Sequence, residues 1–96
     1  MTRQIIAKID QQGSVVAGKG LHSDYKSNIY VVEFDTGIFK STPVIIATTD
    51  TSSLGGTYTC SASVHDAGYA GCKISVQNLN GQDVKAAINL FVSEAV

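Results

Sequence analysis

Residues 28–49, NIYVVEFDTGIFKSTPVIIATT, constrain the fold of this chain more than any other stretch. They form two runs of β-branched and aromatic residues joined by a short polar connection. In the first run Tyr30, Val32 and Phe34 alternate with Ile29, Val31 and Glu33; in the second Val44, Ile46 and Thr48 alternate with Ile45, Ala47 and Thr49. Two-residue alternation ordinarily gives a strand one apolar and one polar face. Here both faces are largely apolar. A small sheet protein has one core to fill, so the second apolar face needs a second partner, which we read as another copy of the chain.

The remaining sequence has the same texture. Val, Ile, Thr and Tyr recur in short runs punctuated by Gly, Asn, Asp and Ser, and no segment has helical periodicity. Strands are expected at about residues 4–10, 14–17, 28–34, 44–49, 58–64, 72–77 and 84–92, with residues 21–27 as a polar loop. Ile5, Ala7 and Ile9 share one side of the first strand. Tyr58, Cys60, Ala62 and Val64 line the fifth, and Cys72, Ile74 and Val76 answer on the sixth. The last strand turns Val84, Ala86, Ile88, Leu90 and Val92 inward. Pro43 cannot donate to a ladder and marks a strand start, and Asn80-Gly81 is the best local turn signal. The pattern describes an all-β fold, a small antiparallel β-sandwich of about six to seven strands. Alternating strand directions would gather residues 19–27, 50–56 and 79–83 at one end, and 11–13, 35–42 and 65–71 at the other.

Ninety-six residues make one domain, since a chain of this length has room for one core. Within it, residues 1–27 read as an N-terminal hairpin and loop, and 28–96 as the core. The residues expected opposite the core are Ile29, Val31, Ile45, Ala47, Ala87 and Phe91. Such a patch is unusual on a monomer and usually marks an interface. Three sheets facing a common axis would cover it without leaving edges exposed, so a homotrimer is expected. The net charge of −1, with no basic run, argues against a nucleic-acid partner. No apolar run has secretory length or approaches the ~20 residues of a membrane helix. We therefore expect a protein that is uninserted in membranes and made in the cytoplasm without a signal peptide, or one that is exported or carried as part of a larger assembly. Cys60 and Cys72, eleven positions apart, match no metal knuckle. They read as small buried residues, with a bridge across a hairpin as the alternative.

The chemical motifs are weak. Residues 13–19, GSVVAGK, fit the first seven positions of a phosphate-binding loop, but Gly20 stands where Ser or Thr should hold magnesium, and no helix follows. His65-Asp66 near Cys60 would need a base within hydrogen-bond reach of the nucleophile and a third group to orient it. The only two histidines fall at opposite ends of the expected fold and no GxSxG elbow is present, so no enzyme activity is expected. Asp24 with His22, or Asp66 with His65, offers two metal ligands where a structural zinc site needs four. A loop calcium at Asp50, Asn78, Asn80 and Asp83 is the alternative, and the leading expectation is no metal and no cofactor. Polar loops dotted with aromatics suit sugar binding instead, because side-chain amides, carboxylates and hydroxyls match sugar hydroxyls while a ring supports the apolar face. The candidate residues are His22, Asp24 and Tyr25 in one loop, and His65, Asp66 and Tyr69 in another. Weak sites of this kind gain strength from multivalency, and without Trp the ring must be Tyr.

The segments Val32-Glu33-Phe34 and Phe39-Lys40-Ser41-Thr42-Pro43-Val44-Ile45-Ile46 resemble the Phe-x-x-Pro-Pro-x-Val centre of H-type lectin domains, with Thr42 in place of the first proline. The strand at 72–77, the Asn80-Gly81 turn and the closing Phe91-Val92 are similar too, as is the Gly-rich stretch 7–20 to repeated modules of bacteriophage tail fibres. The resemblance spans about two-thirds of the chain. It implies a trimeric sandwich that recognises a cell-surface glycan or receptor at a fibre tip, or a module that only trimerises or caps a fibre. It assigns no binding residue here.

Overall fold

The computed structural model describes residues 3–54 and 59–95. Their eight strands are β1 (Gln4–Ile9), β2 (Val15–Ala17), β3 (Leu21–Lys26), β4 (Ile29–Phe34), β5 (Val44–Asp50), β6 (Cys60–Gly68), β7 (Gly71–Asn78) and β8 (Ala87–Ser93). A short 3-10 turn, Ser52–Leu54, follows β5. The strands form two four-stranded antiparallel sheets, β2-β1-β8-β5 and β3-β4-β7-β6. Inward residues from both make one core. Ile5, Ala7 and Ile9 of β1 and Ile88, Leu90 and Val92 of β8 face Tyr30, Val32 and Phe34 of β4 and Cys72, Ile74 and Val76 of β7. Burying each large aliphatic side chain contributes about 1.5–3 kcal/mol before chain entropy is charged against it. The Tyr30 hydroxyl donates to the Ala86 carbonyl at 2.8 Å, tying one sheet to the entry of the other. Burial pushes its pKa up to about 12.

Residues 21–27 are a strand rather than the expected loop. Leu21, Ser23 and Tyr25 turn inward while His22, Asp24 and Lys26 face water. Every residue of β3 has a partner on β4, from Leu21↔Phe34 to Lys26↔Ile29. The connecting turn, Ser27-Asn28, places both residues at positive φ, 53° and 65°. That is the twist a two-residue hairpin requires, here reached without glycine. Gly13 supports the inward side of β3, because a Cβ there would press on the backbone nitrogen and Cβ of Tyr25. The first 27 residues thus supply strands to both sheets.

The extra strand changes which loops share an end. Residues 11–13 lie with the 27–28 turn, residues 51–54 and residues 79–83, while Gly20 joins the other end, where it accepts from the Asp35 amide. The 35–42 and 65–71 loops share that second end as expected, since the Phe34 amide donates to Ala70.

β5 is also placed differently from expectation. It lies in the sheet opposite β4 and pairs with β8, Ile46↔Phe91 and Ala47↔Leu90 among the partners. Its phase is therefore set by β8. Ile45 and Ala47 pack against the core, and Val44, Ile46 and Thr48 point outward. The last strand starts at Ala87 rather than Val84, although Val84 and Ala86 still pack into the core. Tyr58, expected on the fifth strand, lies outside the described residues. Asn80-Gly81 does carry a turn: Gly81 has φ 75° and donates its amide to Asn78.

Candidate functional site

The two outer faces of the sandwich have opposite chemistry. On the β2-β1-β8-β5 sheet, Ile6, Phe91 and Ile46 stand side by side across three strands. Ile6 is 68% and Ile46 52% exposed, and Val44 and Val16 are exposed nearby. A shallow groove of about 400 Å³ lies along this row, with Lys8, Thr48 and Asn89 at its polar border. The one ion pair described on this face, Lys8 Nζ to Asp50 Oδ2, reaches from β1 past β8 to the end of β5. The outward residue of β8 beside Asp50 is Ala87, small enough to leave the path open. Asp50 also accepts from the Ser52 hydroxyl and amide. The Lys8 bond first, then the two Ser52 bonds, hold its carboxyl far below the usual range.

The outer face of the β3-β4-β7-β6 sheet is polar. One cross-strand row reads Asp24, Val31, Lys73, His65, and His22 lies beside Glu33 in the next. Its charges pair among themselves, Lys26 3.4 Å from Asp24 and Lys73 3.6 Å from Asp66, and the His22 ring lies 3.9 Å from Glu33 and 3.8 Å from Asp35. All are exposed, so each contributes at most about 1 kcal/mol. His65 Nε2 is 2.8 Å from Ser75 Oγ. A second groove, about 380 Å³, opens where this face meets the β6–β7 hairpin, lined by Val31, Glu33, Asp66, Tyr69 and Lys73. Gly71 floors the hairpin, and a Cβ there would run into the Val32 carbonyl oxygen.

The structure relocates the residues read from sequence. His22, Asp24 and His65, expected in loops, sit on strands of this one polar face. Asp66, at φ 51°, and Tyr69, 62% exposed, extend the face at the hairpin. The two groups come from opposite edges of the sheet, about 14 Å apart at the usual strand spacing. Tyr25 does not join them. It is half-buried, meets Tyr30 edge-on with ring centres 4.7 Å apart, and carries Lys85 Nζ 4.8 Å from its ring centre. Glu33 and Lys73 complete the groove and were not singled out in sequence. Their strand phase was the available signal, since both alternate with core residues.

The six residues expected at a single interface divide three ways. Ala87 and Phe91 lie on the apolar outer face, Ile29 and Val31 on the polar one, and Ile45 and Ala47 point into the core. Ile6, Val16, Val44 and Ile46 on the apolar sheet, and Leu79 just after β7, are exposed apolar residues absent from that expected interface.

Among the described residues no three His, Cys, Asp or Glu side chains gather in a way that could hold a metal ion. The loop-calcium candidates are held in local bonds: Asp50 as above, Asn78 Oδ1 by the Asn80 and Gln82 amides, and Asp83 by Gln77. Cys60 and Cys72 are both free thiols, opposite Asn78 and Val32 respectively. Burial pushes the Cys72 thiol up to about 11, which makes it a poor nucleophile. No helix of the described residues is long and apolar enough to cross a membrane.

Compared with known proteins, the chain matches no family model, no curated protein and no solved structure.

Proposed function

We propose that the chain is a non-enzymatic recognition module. Copies associate through the β2-β1-β8-β5 face as a homotrimer and turn the opposite, polar faces toward a cell-surface glycan or receptor. The segregation of the two outer faces carries this reading. One bears the exposed row of Ile6, Phe91 and Ile46, and its described charges cancel within the Lys8–Asp50 pair. Identical copies can bring such a face together without like-charge repulsion, and a contiguous apolar patch marks a contact surface. The other face bears Tyr69, an exposed ring, beside the carboxylates of Glu33 and Asp66 and the ammonium of Lys73, groups suited to sugar hydroxyls. The resemblance to H-type lectin and tail-fibre modules supports placement in a fibre-like assembly of a virion or the cell exterior.

Light scattering at micromolar concentration, followed by a glycan array on the intact assembly, tests both halves. A trimer that binds one sugar class is expected, and a monomer overturns the reading. A second reading, a structural module that trimerises or caps without a ligand, draws on the mutual pairing of Lys26 with Asp24 and Lys73 with Asp66. A trimer silent on the array favours it.

A further inference from the structure

We infer that the contact between copies is made edge to edge: β5 of one copy pairs antiparallel with β2 of the next, closing the apolar sheets into a ring. This rests on the association reading above and specifies how the copies meet.

The first ground is the count of strands. The sheet has four antiparallel strands with β2 and β5 at its edges. Four is even, so the two edges run in opposite directions. Rotation about an axis along the strands keeps every strand direction. Wherever β5 of one copy meets β2 of the next, the two are therefore antiparallel, the stronger pairing. An odd number of strands would have brought parallel edges together.

The second ground is where the molecule guards its edges. Sheet edges are natively protected by charge, bulges or brevity. The polar sheet uses the first two: His22, Asp24 and Lys26 face outward on β3, and the register of β6 is broken between His65 and Gly68. β5 has neither. Its sequence is VIIATTD, its register with β8 is unbroken over seven residues, and its one charge is held by Lys8. β2 is VVA and uncharged; it is three residues long and its register with β1 is broken between Lys8 and Ile9, so it is the more guarded of the two edges and limits the shared ladder to its length.

The third ground is height. Ala17, Lys8, Asn89 and Thr48 occupy one row across the sheet. Rotation about an axis along the strands brings Thr48 level with Ala17 of the next copy. It also turns every Ile6–Phe91–Ile46 row toward the axis, where the rows exclude water together. A second copy is the occupant we commit to, because its β2 is antiparallel to β5, uncharged and in line with the same apolar row.

Cysteine cross-linking in the full chain tests it, with Ala17→Cys, Thr48→Cys and the double variant each mildly oxidised beside the parent chain. Both positions are exposed, so the variants should keep the parent melting temperature. The double variant should give covalent multimers ending at a closed trimer, and each single variant none. With Cys60, the partly exposed native thiol, replaced by Ser in every variant, dimers from Thr48→Cys alone would mean that β5 meets β5, and a ladder without a top band would mean an open chain; either overturns the ring. Absence of cross-links from an assembly that light scattering shows intact overturns the edge contact and leaves association standing. A monomer in light scattering overturns both.

Discussion

The outer faces of the two sheets are built from the same kinds of strand, yet one is apolar and the other charged. Each packs an inner face of Ile, Val and Leu against its partner sheet, so core formation does not distinguish them. The difference lies in what alternates with the core. On β1, β8 and β5 the alternate positions hold Ile6, Phe91 and Ile46; on β3, β4 and β7 they hold His22, Asp24, Glu33 and Lys73. The first kind of surface is the ground for the association proposed above.

The strongest way to break this comparison is a charge at the centre of the apolar row. If copies associate as proposed, Phe91→Asp would strand a carboxylate in their contact and remove a large ring, costing several kcal/mol of association. Light scattering should then show monomer, whereas Val31→Asp on the opposite face should leave the assembled mass unchanged. Equal effects from both would erase the distinction between the faces. Next in size is Tyr30→Phe, which removes the hydroxyl joining the sheets and leaves the Ala86 carbonyl unpaired. A loss of about 1–3 kcal/mol in denaturant unfolding is expected, with assembly at high concentration retained. Tyr69→Ala should abolish glycan binding while changing unfolding stability by no more than about 0.5 kcal/mol. A large drop in stability would make Tyr69 a packing residue.

The smallest effect concerns acid. Asp50 is depressed in the fold by Lys8 and Ser52, so its stabilisation is complete above the ordinary carboxylate pKa of 3.8. It fades as pH falls from there toward the lower folded value. Asp50→Asn should flatten that part of the curve of melting temperature against pH and leave neutral pH nearly unaffected. An unchanged acid limb would show that other carboxylates govern it.

Much of this architecture was legible in the residues. Ile5, Ala7 and Ile9, the Tyr30–Phe34 alternation and the Ile88–Val92 alternation all pointed to the core as they do in the structure. β3 was hidden because its inward set, Leu21, Ser23 and Tyr25, contains one aliphatic residue, and because Ser27-Asn28 is an uncommon composition for a hairpin turn. Missing one strand reverses the end at which every earlier loop falls, which is why residues 11–13 were misplaced. β5 was readable as a strand but not in phase. Its run is apolar on both sides, so only pairing with β8, more than forty residues later, decides that Ile45 turns in and Ile46 out. The candidate ligand residues were chosen by type, and it was the hidden strand that brought His22 and Asp24 onto the face that carries His65.

The pairing of the first strand with the last has a mechanical consequence. Gln4 lies opposite Ser93, and the Glu94 amide donates to the Arg3 carbonyl, so β1 and β8 begin and finish at the same end of the sandwich. Tension drawing Arg3 away from Glu94 would load the rungs between these strands one after another, like a zip. Tugging through that end would part the module at low force, whereas shearing β1 lengthwise against β8 would strain their rungs all at once.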